Sequence, residues 1–328
     1  MIFPSRNDVV NAIQNPTLLK VATLKNGSLL RGKNNRLIIY SGGFTSVFPY
    51  LINNTKKAIR CWVADPGNIA DNLTKIQSYF NSTKLPYFTD FEYIKDAIVI
   101  NGIHYPIMTM TWVEGETLKN FIKNNLQEST KLKLLAENFK DMCKDLHFHN
   151  ISHGDLQHGN ILITPNLELK LVDYDGVYVP GLESKEDSIK GLMGYQHPSR
   201  WTLDKLNPKV DYFSELVIYI SIKALSVAPN LWHELKMEYT DTLIFNEEDI
   251  QHKGNTKIFG ILKGLSSEMN KLVEQMIEYL YKTNIDELKP IEDIFDETSK
   301  APWENKTQKI TIHQSKVEVN PNNIATKW

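Results

Sequence analysis

The sequence predicts an α+β fold in two parts, a small antiparallel sheet carrying one main helix, followed by a mainly helical region. Three observations predict it. Short β-rich runs separated by Gly, Asn and Lys fill residues 28–64, a single set of helix-spaced apolar residues covers 66–80, and longer apolar repeats of helical period begin after Gly115.

Taken in order, Leu37–Tyr40, Val47–Tyr50 and Ala58–Val63 read as strands. Ile69, Leu73, Ile76 and Phe80 share one face of a helix, and β-rich runs return at 97–100 and 105–113. Leu118, Phe121 and Ile122 then mark a short helix. Leu132, Leu135, Phe139, Met142, Cys143 and Leu146 mark a longer one over 129–149. The runs Ile161–Ile163 and Leu169–Val172 bracket Thr164-Pro165-Asn166 and predict a hairpin; helical patterns follow at 211–225 and 266–282. Beyond about residue 284 the text is polar and proline-punctuated, with one strand-like run at Ile310-Thr311-Ile312. Residues 284–328 are therefore expected to be a tail that docks within the molecule or on a partner.

Composition narrows the function. The 328 residues are 41% hydrophobic and 23% charged with a net charge of −2, so no sequence-wide basic field exists to attract nucleic acid or an anionic membrane. Neither partner is expected. Cys61 and Cys143 stand far apart and outside any C-x-x-C pair, which argues for buried thiols rather than disulfides or zinc. The first residues carry no leader pattern, and no apolar stretch approaches the ~18 residues of a membrane span, so a cytoplasmic setting is expected.

The chemistry-bearing text is His153-Gly154-Asp155-Leu156-Gln157-His158-Gly159-Asn160, followed after the hairpin by Asp173-Tyr174-Asp175-Gly176. Transfer of a phosphoryl group from ATP needs a carboxylate to orient the attacking hydroxyl and oxygen ligands for Mg²⁺. Asp155, Asn160 and Asp173 supply these groups. Asn160 lies five residues after Asp155 and Asp173 thirteen after Asn160, with the hairpin folding the two loops together. Any one of them alone would read as a turn or cap residue.

This stretch resembles the protein kinase family, whose catalytic loop is H-R-D-x-x-x-x-N and whose metal loop is D-F-G. The resemblance covers roughly residues 30–283 and implies a bilobal, protein-kinase-like fold: an N-terminal lobe over 1–110, a hinge at 111–115 and a helical C-terminal lobe over 116–283. It makes Asp155 the catalytic carboxylate and Asn160 and Asp173 the Mg²⁺ ligands, with Asp175 a second acidic ligand. Ser41–Val47 resembles the glycine-rich loop over the phosphates, through Gly42, Gly43 and Val47, with Tyr40 and Thr45 at the other two glycine positions. Lys57-Ala58-Ile59-Arg60 resembles V-A-I-K and sets Arg60 in the place of the phosphate-binding lysine, with Ala58 beside the nucleotide. Met110, Thr111 and Val113 fall where adenine meets the hinge. Pro198 matches the proline of A-P-E, and Asp211 the aspartate that holds the catalytic-loop backbone.

Departures accompany the match. Gly154 replaces the catalytic-loop arginine, removing the usual partner of an activation-segment phosphate. The helix over 66–80 contains no glutamate to pair with Arg60; Asp65 and Asp71 are the alternatives, and Lys56 or Lys57 are alternative phosphate contacts. The resemblance implies ATP and Mg²⁺ as cofactors and a protein as acceptor, in the manner of a divergent bacterial serine/threonine-kinase-like protein. Two other functions stay open: a nucleotide-binding pseudokinase acting as a regulatory module, and a small-molecule kinase of the aminoglycoside phosphotransferase type, whose H-G-D and V-D-Y-D runs are similar.

Overall fold

A computed structural model describes residues 3–65 and 69–299. Ser5 and Asp8 cap one another's backbone and open helix α1 (Arg6–Ile13), which buries Val9, Ala12 and Ile13. A one-turn helix α2 (Ala22–Lys25) follows. The sheet is built from β1 (Ser28–Leu29), β2 (Tyr40–Ser41), β3 (Thr45–Ile52), β4 (Thr55–Trp62), β5 (Phe91–Ile100) and β6 (Ile103–Thr111). All pairs are antiparallel, in the order β1-β3-β4-β6-β5, with β2 also on β3.

The alternation of β4 gives the sheet two apolar faces. Ile59 and Cys61 pack with Phe48, Ile98 and Ile107 against Val9, Ile13, Leu19 and Leu24 of the N-terminal segment. Trp62, joined by Met108 and Met110, packs on the other face against helix α3 (Ile69–Thr83) through Leu73, Ile76 and Phe80. Ala58 and Arg60 share that second face and look into the cleft.

Two strands differ from expectation. Leu37 makes only an isolated bridge to Arg31, because Asn34 and Asn35 turn the chain through the left-handed region at φ 59° and 58°. In contrast, β5 begins six residues before 97. A register shift between Ile94 and Ile98 exposes Lys95 and Asp96 and breaks the alternation that would have revealed the strand.

The second part holds β7 (Glu116–Thr117), α4 (Leu118–Asn124), α5 (Ser129–Phe148) and the hairpin β8 (Ile161–Ile163) and β9 (Leu169–Leu171). Helices α6 (Tyr212–Val227), α7 (Leu231–Glu234), α8 (Glu247–Gln251), α9 (Lys257–Lys263), α10 (Ser267–Tyr281) and α11 (Ile291–Ser299) complete it. Helix α6 is apolar on nearly every side and is buried to match. The antiparallel sheet region and helical second region form the bilobal α+β architecture that the sequence predicts.

The expected tail differs in its first third. Asn284 and Glu287 form a capping box, and Ile285, Leu288, Ile291 and Ile294, spaced three apart, are buried against the helical lobe. The polar residues between them conceal that spacing. The rest of the expected tail, including Ile310–Ile312, lies outside the described residues, as do 66–68 at the start of the expected helix. Cys61 and Cys143 are both buried and free. Among the described residues no helix is long and apolar enough to cross a membrane.

Candidate active site

A cavity of about 560 Å³ separates the sheet from the β8–β9 hairpin. Gly42, Val47, Ala58 and Arg60 line it from the sheet, Met110, Thr111 and Val113 close its back, and Asn160, Leu162, Val172 and Asp173 form its floor. Of the residues expected to hold a nucleotide, Gly43 alone does not line this cavity. At its back edge the Thr111 N–H donates to the Asp90 carbonyl (2.9 Å) and the Trp112 N–H to that of Lys56 (3.3 Å). The Val113 N–H and C=O find no partner among the described residues, so one donor and one acceptor stand available where a purine edge would lie.

The catalytic-loop stretch is held from below. Asp211, just before α6, accepts from the N–H groups of His153 and of Gly154, the latter at 3.0 Å, while the His153 ring bonds the Val172 carbonyl (2.9 Å). Gly154 has φ +76°, and a Cβ there would stand 2.1 Å from the Gly176 carbonyl oxygen. No side chain fits, which is the physical reason that this chain has no arginine before Asp155. The Asn160 amide donates to the Asp155 carbonyl (2.8 Å) and carboxylate (2.9 Å), and the Leu192 N–H donates to the other carboxylate oxygen (3.1 Å). Burial raises the Asp155 pKa and the Asp173 charge adds to it, against opposition from His153, Asn160 and the Leu192 N–H. A carboxylate raised in this way is a better proton acceptor.

Asp173 sits in the left-handed region at φ 69°, and Tyr174–Gly176 forms a single tight turn after it. Tyr174 is buried among Phe80, Phe88 and Phe91; its hydroxyl donates to the Leu171 carbonyl and accepts from the Thr89 N–H. The turn brings Asp173 and Asp175 to the same guanidinium. Arg60 Nη1 meets Asp175 Oδ1 at 2.6 Å, and Nη2 meets Asp175 Oδ2 at 2.6 Å and Asp173 Oδ1 at 2.9 Å. Burial opposes the Arg60 charge, but the two carboxylates outweigh it and hold the group protonated. Lys56 and Lys57 are placed elsewhere, on Glu114 (2.7 Å) and the Thr111 hydroxyl (3.1 Å). Asp155 and Asn160 are thus paired within the catalytic loop and Asp173 and Arg60 across the cleft, and Asn160 and Asp173 both line the cavity where they could hold a divalent ion.

Sequence reasoning missed three participants. Arg200 reaches back to the Gly154 carbonyl (3.1 Å) and pairs with Asp187. Arg6 donates to the Gly42 carbonyl (2.7 Å), tying the N-terminal helix to the glycine loop. His158 bonds the Tyr195 hydroxyl (2.7 Å), and burial with the nearby Lys119 pushes its pKa down to about 4, leaving it a neutral strut between catalytic loop and downstream segment. Of these only α1 itself had a readable signal, the S-x-x-D capping pattern at Ser5 and Asp8.

The protein kinase domain model matches residues 91–285, and the chain belongs to this family. It is 28% identical over 254 residues to the mitosis inhibitor protein kinase SWE1 of Candida albicans, covering 69% of this chain and 21% of that protein. It is 28% identical over 165 residues to the probable serine/threonine-protein kinase mkcC of Dictyostelium discoideum, covering 49% and 18%. With the serine/threonine-protein kinase HAL5 of Saccharomyces cerevisiae it shares 28% over 178 residues, covering 52% and 20%. The chain spans about a fifth of the length of these curated relatives. All three come from eukaryotes, so the bacterial branch suggested by the sequence finds no support among them.

Proposed function

We propose that the chain is an atypical serine/threonine kinase that transfers the γ-phosphoryl group of ATP, with Mg²⁺, to a protein hydroxyl. The observation that carries this reading is the pairing of Asp155 with Asn160 and of Asp173 with Arg60, where Asn160, Asp173 and Arg60 line one end of a cleft whose other end offers the free Val113 backbone groups. Mg²⁺-ATP, when bound, would supply the electrophilic phosphorus and a cation to offset phosphate charge. Asp155 orients the acceptor hydroxyl and takes its proton, while Asn160 fixes the Asp155 carboxylate and, with Asp173, would hold the metal. Arg60 and the glycine-loop backbone at Gly42 steady the phosphate charge. Residues 111–115 act as the hinge between lobes at 1–110 and 116–283, and a soluble, cytoplasmic setting suits a protein acceptor.

A second reading, a nucleotide-binding pseudokinase, draws on the Arg60–Asp173 hydrogen bond, which engages an expected metal ligand. Incubation with labelled ATP and Mg²⁺ separates the two. Label on this chain or on an added protein, lost in Asp155→Asn, supports the kinase. Nucleotide-dependent thermal stabilisation of about 2–3 kcal/mol at a hundredfold excess over Kd, without transfer, supports the binding module. Neither stabilisation nor transfer rules out both.

A further inference from the structure

Arg60 is 5% exposed, and a guanidinium taken that far from water needs an acid held in fixed geometry beside it. Helix α3, which packs on the same face of the sheet, does not provide one. Its buried residues are Ile69, Asn72, Leu73, Ile76 and Phe80, and its single acid, Asp71, is exposed. The acid comes instead from the loop after β9. Asp175 spends both carboxylate oxygens on two different guanidinium nitrogens at 2.6 Å, the parallel two-point contact that fixes the plane as well as the position of an arginine. Asp173 gives one oxygen at 2.9 Å. The two acids also differ in access: the Asp175 side chain is 10% exposed, whereas that of Asp173 is 44% exposed and lines the cleft.

We infer that Asp175 is the positioning residue for Arg60, replacing an acid on α3, and that Asp173 alone of the two acids turns to the metal. This rests on the reading that the cleft takes Mg²⁺ and a nucleotide. It replaces the sequence-based assignment of Asp175 as a second metal ligand, because a carboxylate with both oxygens committed to arginine has little left for a cation. The placement of the phosphate-facing charge then follows the metal loop rather than α3. A displacement of that helix leaves Arg60 where it is, which removes one route by which such a cleft could be switched.

Two measurements test this. The first needs no nucleotide: urea midpoints are compared for Arg60→Met, Asp175→Asn, Asp173→Asn and the two doubles that contain Arg60→Met. The expected result is strong non-additivity for Arg60 with Asp175, the double falling no further than the worse single, and a smaller coupling for Arg60 with Asp173, which gives the guanidinium one oxygen rather than two. The second measures the Mg²⁺ concentration needed for half-maximal ATP binding. Asp173→Asn should raise it by about tenfold or more, Asp175→Asn should leave it within about twofold, and Asp175→Asn should still lower transfer by about 10–100-fold through the misplaced Arg60. Asp175→Glu, which keeps the charge, should recover part of that loss and serves as the folded variant if Asp175→Asn is unstable. Equal shifts in Mg²⁺ requirement for the two Asn variants, or additivity of Arg60→Met with Asp175→Asn, overturns the inference. Failure of the wild type to bind any nucleotide removes the cleft reading instead, and the urea cycle alone then decides the pairing.

Discussion

Arg200 forms an ion pair with Asp187 at 2.7 Å, both residues almost wholly buried at 1% and 2% exposure. The same guanidinium donates to the carbonyls of Gly154 and Ile189, so one side chain ties the segment after the metal loop to the residue preceding Asp155. Breaking a buried pair from one side strands a charge and costs roughly 3–5 kcal/mol, whereas removing both partners costs much less. Asp187→Asn is therefore expected to lower the urea midpoint sharply, and Asp187→Asn with Arg200→Met to recover much of the loss. Since the segment is held by this internal pair, phosphatase treatment is expected to leave the transfer rate unchanged; a large drop would show that a phosphate contributes what we assign to Asp187.

Restoring the family's arginine at position 154 should damage this protein. The position combines a left-handed φ with a Cβ that would lie 2.1 Å from the Gly176 carbonyl oxygen. Overpacking adds about 1–3 kcal/mol, and a β-carbon in the left-handed region about 1–2 more. Gly154→Ala and Gly154→Arg are both expected to destabilise by thermal unfolding, and by similar amounts, because the clash belongs to the Cβ they share. A stable Gly154→Arg variant would refute that account.

The path from sequence to structure was clear wherever one pattern had one cause. The β8–β9 hairpin, α5, α6 and α10 fall within one or two residues of their apolar spacing, since each buries one contiguous set of side chains. Asp155, Asn160 and Asp173 stand out through their fixed separations around a hairpin, and Asp211 through the resemblance of Asp211–Ser214 to the start of the family's central helix. What stayed hidden depends on contacts between distant text. Asp175 and Arg60 are 115 residues apart, and nothing local to either says that a tight turn at Tyr174 aims both acids of the metal loop at one strand. Asp187 and Arg200 are closer in sequence, but Asp187 sits in irregular backbone and Arg200 in the short 3-10 helix Pro198–Thr202, too short for periodicity to report burial. The α11 region was hidden by the polar residues interleaved with Ile291, Ile294 and Phe295, which pack on the helical lobe beside Glu292 while Asp293 stays exposed.

The alternatives to Arg60 as phosphate contact can be tested directly. Lys56 pairs with Glu114 and lies over the Trp112 ring at 4.5 Å, and Lys57 donates to the Thr111 hydroxyl, both at the hinge end of β4. Arg60→Ala is expected to lower transfer by more than it lowers ATP affinity, because its charge matters most where transition-state charge develops. Lys56→Ala and Lys57→Ala should leave the transfer rate within about twofold, surface and hinge charges contributing little. A larger loss from either lysine than from Arg60 would move the phosphate site to the hinge end of the strand.

The last prediction concerns pH. His147 on α5 stands between Glu215 of α6 (2.9 Å) and Glu292 of α11 (2.9 Å), with the Tyr212 ring edge-on at 4.7 Å. Burial opposes its charge, but the hydrogen-bonded carboxylates of Glu215 and Glu292 outweigh it and raise its pKa from 6.5 to about 10. The folded state therefore holds a proton that the unfolded state has lost. Its stabilisation is fully present below pH 6.5, declines as pH rises above that value, and is gone once pH passes about 10. Stability measured by urea unfolding should thus fall with pH across this window in the wild type. In His147→Gln the fall should be shallower, because the variant is already destabilised at pH 6 by roughly 3–5 kcal/mol and has no further proton to lose there. Glu292→Gln should weaken the pH dependence without abolishing it, since Glu215 still faces the imidazole. Parallel pH profiles for wild type and His147→Gln would mean that the imidazole is neutral in the folded protein and that α11 is held by its apolar contacts alone.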